Sequence, residues 1–111
     1  MLDAGVTIVL STNARAYRPE QPLDEQRRLS ETARFYNPCF DLSGLHTLYD
    51  IHNNEIENIG EALDIQVLNL GMLIPGGSQY FSDASHFSEQ GEQLAADNIF
   101  DFLIINSLVK L

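Results

Sequence analysis

Ile65-Gln66-Val67-Leu68-Asn69-Leu70 is a short apolar run that follows directly on a long helical pattern. In that pattern Leu45, Leu48, Tyr49, His52, Ile56, Ile59 and Leu63 recur at steps of three, one, three, four, three and four. Such steps put all seven on one face of a helix over residues 45–63. An apolar run too short to make a helix of its own predicts a strand at residues 65–70. Upstream, Val6-Thr7-Ile8-Val9-Leu10 is β-branched and almost continuously apolar, the pattern of a strand buried on both faces. Two such strands with helical sequence between them predict an α/β chain with a parallel sheet and a right-handed crossover.

Between the strands, Ser11 to Pro22 reads as a loop broken by Pro19 and Pro22. Asp24 is a candidate cap for the next helix, in which Leu29, Thr32, Ala33 and Tyr36 share a face. Asn37-Pro38 ends that helix, because the residue before proline is pushed out of the α region. Gly71 to Phe87, with Pro75-Gly76-Gly77, reads as a long loop, and long loops in compact domains are commonly functional. It leaves the carboxyl end of the second strand, where open α/β sheets hold their ligands. Ser88 is the expected N-cap of a third helix, with Glu89 and Glu92 in the first turn. Ala96, Ile99, Phe100, Leu103 and Ile104 are its expected buried face, and its apolar far end predicts packing between layers.

The chain has 111 residues, enough for one domain and a modest core. A net charge of −10 argues against nucleic acid or an anionic membrane as partner. Five of the six cations lie within residues 15–34, but four acids share that window, so a solvated mixed-charge helix face is expected there. The single cysteine, Cys39, excludes an internal disulfide and a cysteine-based zinc site. Residues 1–20 show no basic region followed by an apolar one, so no signal peptide is visible. The run from Ile99 to Leu111 is interrupted by Asp101, Asn106 and Lys110 and is too short to span a membrane, which takes about 20 apolar residues.

The chemistry-bearing stretch is Ser82-Asp83-Ala84-Ser85-His86-Phe87-Ser88-Glu89-Gln90-Gly91. A carboxylate three residues before a histidine can hold the imidazole in one tautomer and stabilise it when protonated, which makes Asp83 and His86 a candidate dyad. Phe81 and Phe87 flank it and are expected to shield it from water or line an acyl pocket, or equally to pack in the core. Ser11 and Thr12, at the end of the first strand, are expected in loop and capping roles, and Ser78, Ser82 and Ser85 in bonds to nearby backbone. Cys39 is expected to be a small buried residue rather than a thiol partner of His86. His46, Asp50, His52 and Glu55 raise a metal reading. His52 falls within the apolar stripe, however, and is expected to be a core or boundary residue, so no metal or other cofactor is predicted.

Asp83-x-x-His86-Phe87-Ser88-x-x-Gly91, then Ala95 and Ile99, after a strand ending Asn69-Leu70, resembles the last block of the SGNH (GDSL-type) hydrolases. Residues 51–70 resemble the penultimate helix and strand of that family, and residues 6–12 the strand before them. The resemblance implies a serine ester hydrolase acting on a small-molecule or acyl ester, with His86 as general base and Asp83 as its orienting acid. The Gly-Asp-Ser and Gly-x-Asn-Asp blocks of the family, which carry the nucleophile and most of the oxyanion hole, are not in these residues. Asn69 stands where many members have an acid. The expectation is therefore that residues 1–111 form the C-terminal half of a three-layer α/β/α domain, with two strands and three helices, inactive alone. Its expected partners are a complementing N-terminal half or a second chain paired along the open strand edge.

Overall fold

The computed structural model describes residues 4–109. In it β1 (Val9–Ser11) pairs with β2 (Gln66–Leu68) in a two-stranded parallel sheet. The register is Val9 to Gln66, Leu10 to Val67 and Ser11 to Leu68, and the Thr12 amide extends it by donating to the Leu68 carbonyl at 3.0 Å. The predicted mixed α/β architecture with parallel pairing is present. The strands are shorter than their apolar runs, and of the two only β2 has a buried residue, Leu68. Burial of the first strand on both faces is not found: Val6 is half exposed, and Val9 and Leu10 are only partly covered.

Among the described residues, five helical segments replace the three expected. The first predicted helix is two, α1 (Leu23–Leu29) and α2 (Glu31–Tyr36), joined at the fully buried Ser30. Asp24 is not its cap; Pro22 holds that position and Asp24 lies in the first turn, where its charge suits the helix dipole. The long helix α3 (Leu42–Leu63) starts three residues before the predicted face because the Asp41 carboxylate accepts from the Gly44 amide at 2.7 Å. It ends at Asp64 in the left-handed region (φ 53°), and the Ile65 amide returns to the Gly60 carbonyl. Gly60 is required there, because a Cβ would run into the Val67 side chain of β2. A short α4 (Leu70–Leu73) turns the chain straight off β2, where the strand reading extended to Leu70. The last helix, α5 (Glu89–Ile105), is capped as expected, the Ser88 hydroxyl accepting from the Gly91 amide.

The core is made largely by loops. Ala16 and Tyr17 from the segment after β1 meet Ile74, Phe81 and Ala84 from the segment before α5, together with Leu29, Leu45 and Ala95 from helices. Loop backbone carries this packing: the Ala16 amide donates to the Ala84 carbonyl at 3.0 Å, and the Gly77 amide to the Ala16 carbonyl at 2.8 Å. The Arg18 guanidinium reaches across to the carbonyls of Gly71 and Ile74. Gly76 allows this approach, since a Cβ would meet the Ala16 carbonyl and two side chains.

The helical faces differ most from expectation. Ala96, Ile99 and Phe100 of α5 are exposed, and Gly91 and Ala95 are its buried residues. The small residues set that face, because a Cβ at position 91 would collide with the Tyr80 carbonyl. On α3, Leu45 is buried, but Leu48, Ile59 and Leu63 are exposed, and so is His52. The expectation that His52 is a core or boundary residue fails: the residue stands on the exposed part of the stripe. No helix among the described residues is long and apolar enough to cross a membrane.

Candidate active site

The loop from Ser82 to His86 is closed by Phe81 and Phe87, which form an antiparallel bridge with ring centroids 5.2 Å apart. Phe81 is buried in the core, one of the alternatives open to it from the sequence. Ser82 locks the turn, its amide donating to the His86 carbonyl at 2.9 Å and its hydroxyl to the same oxygen at 3.2 Å. At the opposite side the Ala84 peptide is held at both ends. Its amide donates to the Thr32 hydroxyl of α2 at 3.1 Å, and its carbonyl accepts from Ala16. Thr32 has a role the sequence did not reveal; its place on the inner face of its helix was the only signal.

Asp83 and His86 come together as predicted. His86 Nδ1 lies 2.8 Å from Asp83 Oδ2 and 3.0 Å from Oδ1. The carboxylate also accepts from the amides of Ser85 (2.9 Å) and His86 (2.8 Å). These amides first, and the imidazole after them, hold the Asp83 carboxyl below its ordinary value, so it is an anion at neutral pH. An anionic carboxylate only accepts, so in the neutral ring Nδ1 carries the proton and donates, and Nε2 keeps its lone pair. The His86 side chain is 79% exposed and that of Asp83 34%, which leaves Nε2 free to exchange a proton with a bound group. Chemically this is an oriented general base that can return the proton as a general acid.

The other residues singled out from the sequence have structural partners or none. Thr12 donates to Asn69 Oδ1 at 2.7 Å and accepts from the Gly71 amide at 2.9 Å, so its hydroxyl serves the first turn of α4. Asn69 in turn donates to Glu57 of α3 at 2.9 Å. Ser11 donates to the neighbouring Thr12 carbonyl. Cys39 is exposed in the connection between α2 and α3, not buried as expected, because the turn at Asn37-Pro38 carries it away from the core. His46 is tied to Arg15 at 3.3 Å and to Gln26 at 2.8 Å, and among the described residues no three His, Cys, Asp or Glu side chains gather as a metal site.

Beside the dyad is a hollow of about 250 Å³, walled by Asp83, Ala84, Ser85 and His86 on one side and by Ala33, Leu45, Leu48 and Tyr49 on the other. Tyr17 forms part of it. Burial, and after it the nearby Tyr49, push the Tyr17 phenol far above its usual range, so it remains a neutral donor. Burial likewise raises Tyr49.

Comparison with protein-family models, with curated proteins and with solved structures returned no match to this chain, so the SGNH resemblance stands on the residues quoted for it.

Proposed function

We propose that this chain supplies the acid–base pair of an SGNH-type serine ester hydrolase, as the C-terminal part of a three-layer α/β/α domain. The observation that carries the reading is the two-oxygen contact of Asp83 with His86 Nδ1, which leaves Nε2 exposed. In the reaction His86 Nε2 takes the proton of an attacking serine hydroxyl. The carboxylate steadies the resulting imidazolium, and the same proton passes to the leaving alcohol. Serine and oxyanion donors would come from the Gly-Asp-Ser and Gly-x-Asn-Asp blocks that residues 1–111 do not contain. The layered arrangement is supported by the apolar faces left open on α3 (Leu48, Ile51, Ile59, Leu63) and α5 (Ile99, Phe100, Ile105), which a further layer would cover.

The test is to translate the genomic frame upstream of the Met1 codon and assay the longer product on p-nitrophenyl acetate. Esterase activity is expected, and His86→Ala should lower kcat by a factor on the order of 10⁶. Activity that survives His86→Ala overturns the assignment.

A second reading is favoured by the same open faces and by a sheet whose two strands, among the described residues, are each bonded on one side only. In it the chain is a non-catalytic module that pairs its strand edge with another chain. An upstream stop codon together with a dimer in sedimentation would favour it; a stable monomer would remove it.

A further inference from the structure

His52 belongs to the apolar stripe of α3 by its spacing, yet it stands exposed and lines a second hollow, of about 380 Å³. Asn13, just past β1, and Ser85, from the dyad loop, line the same hollow with Ala14, Leu48 and Tyr49. Leu48, Tyr49 and Ser85 also wall the hollow beside His86, so the two spaces lie side by side. Asn13, His52 and Ser85 are all exposed, and among the described residues their side chains are unspent. Asn13 is held through its backbone. Its amide donates to Asn53 Oδ1 at 2.8 Å and its carbonyl accepts from Asn53 Nδ2 at 3.0 Å, which fixes the residue and leaves its own side-chain amide free. The Ser85 amide donates to Asp83 at 2.9 Å, while its hydroxyl has no partner among the described residues. The His52 ring likewise enters no hydrogen bond or ion pair with them.

We propose that this second hollow binds a neutral polyhydroxylated group, a single sugar ring or a polyol, through the side chains of Asn13, His52 and Ser85. The amide, the imidazole and the hydroxyl offer donors and acceptors together, and a ligand hydroxyl both donates and accepts, so a group with several of them matches the mixture. Leu48 and Ala14 suit the C–H face of such a ring. The hollow has the volume of about a dozen water molecules, room for one sugar ring. An alkyl chain would strip three polar groups of water and return no hydrogen bond. A metal cation finds no carboxylate in this wall. An anion is disfavoured by the neighbouring Asp83 and by the net charge of −10. The place fits as well, since Asn13 follows the carboxyl end of β1, the end of a parallel sheet that holds ligands. On the hydrolase reading the bound group is the alcohol half of the ester, and that assignment rests on the reading; the binding site itself does not.

The test is an NMR titration of the chain with methyl glucoside, glucuronate and cyclohexanol. Methyl glucoside should move the amides of Asn13 and Ser85 and the imidazole resonances of His52, and it should bind more tightly than either of the others. His52→Ala and Asn13→Ala each remove an exposed side chain, so both variants fold, and each should weaken methyl glucoside about fivefold. Tighter binding of glucuronate would mean that His52 acts as a cation, and equal binding of cyclohexanol would mean that the hollow reads only apolar surface; either overturns the proposal. So does methyl glucoside binding that both variants retain in full. In the longer product, His52→Ala should raise KM for an acetylated methyl glucoside about fivefold more than for p-nitrophenyl acetate. Methyl glucoside binding that depends on His52, in a longer product whose activity survives His86→Ala, keeps the site and discards the hydrolase. Activity abolished by His86→Ala without any shift on adding methyl glucoside discards only the site.

Discussion

His86 and His46 each stand near an aspartate, yet only one keeps a nitrogen free. His86 sits on an exposed loop, spends Nδ1 on Asp83 and leaves Nε2 open. His46 spends both nitrogens. Arg15 can only donate, so Nδ1 of His46 accepts from it at 3.3 Å, and Nε2 carries the proton and donates to Gln26 Oε1 at 2.8 Å. Gln26 in turn donates to the carbonyls of Pro19 and Gln21. The nearby Asp50 is engaged by Arg15 at 3.8 Å and not by the ring. Burial, and after it the Arg15 charge, lower the basicity of His46. A histidine beside an acid is therefore not a dyad in itself. What separates the two is which partner takes the second nitrogen, and that is decided by where the chain carries the ring.

The sharpest way to break the contrast is at Arg15. Its side chain is 6% exposed, donates to the Tyr17 carbonyl at 3.0 Å and lies over the Tyr49 ring at 4.9 Å. Arg15→Met should destabilise the fold by about 2–4 kcal/mol in urea denaturation, from the orphaned carbonyl and the lost cation–π contact. It should also raise the basicity of His46 part of the way toward its ordinary value, since burial still lowers it. An unchanged His46 titration would remove Arg15 as the cause of its locking.

Thr32 tests the open site. Thr32→Val leaves the buried Ala84 amide without an acceptor, and a loss of about 1–2 kcal/mol is expected. The imidazole resonances of His86 should shift, and Thr32→Ser should restore them. Stability lost without any change at His86 would mean that the Ala84 anchor does not position the dyad.

The pH dependence separates the two rings further. The folded chain resists protonating His46, whereas the unfolded chain takes up that proton at about the ordinary 6.5. The stability tied to His46 is thus complete above that pH and lost as pH falls toward the lowered folded value. His46→Gln should flatten this slope between pH 7 and 5. The Asp83 contribution lies lower: it is present above the ordinary 3.8 and lost as pH falls through its depressed folded value. The smallest effect belongs to His86→Ala, which should change stability by no more than about 0.5 kcal/mol, because so exposed a ring buries little. A larger loss would show that His86 is structural.

Much of the local structure could be read from the residues. The Ser88 cap, the helix from residue 45 onward, the parallel pairing of the two apolar runs and the Asp83–His86 contact all depend on neighbours a few positions apart or on apolar periodicity. Such signals are local, and the chain carries them whatever surrounds it. Which faces would be covered was not legible. The stripe on α3 and the apolar far end of α5 predict burial, but periodicity says only that a face is apolar, not that another element lies against it. The core instead gathers around Ala16, Tyr17 and Ala84 in segments that read as loops, because backbone bonds between Ala16, Gly77 and Ala84 draw two distant loops together. The locking of His46 by Arg15 and Gln26, and the unpartnered hydroxyl of Tyr17, arise from the same meeting of segments far apart in sequence. The sequence by itself determined the pieces and the dyad. Only the tertiary structure decided which side chains were desolvated, and desolvation is what turns one histidine into a structural pin and leaves the other free.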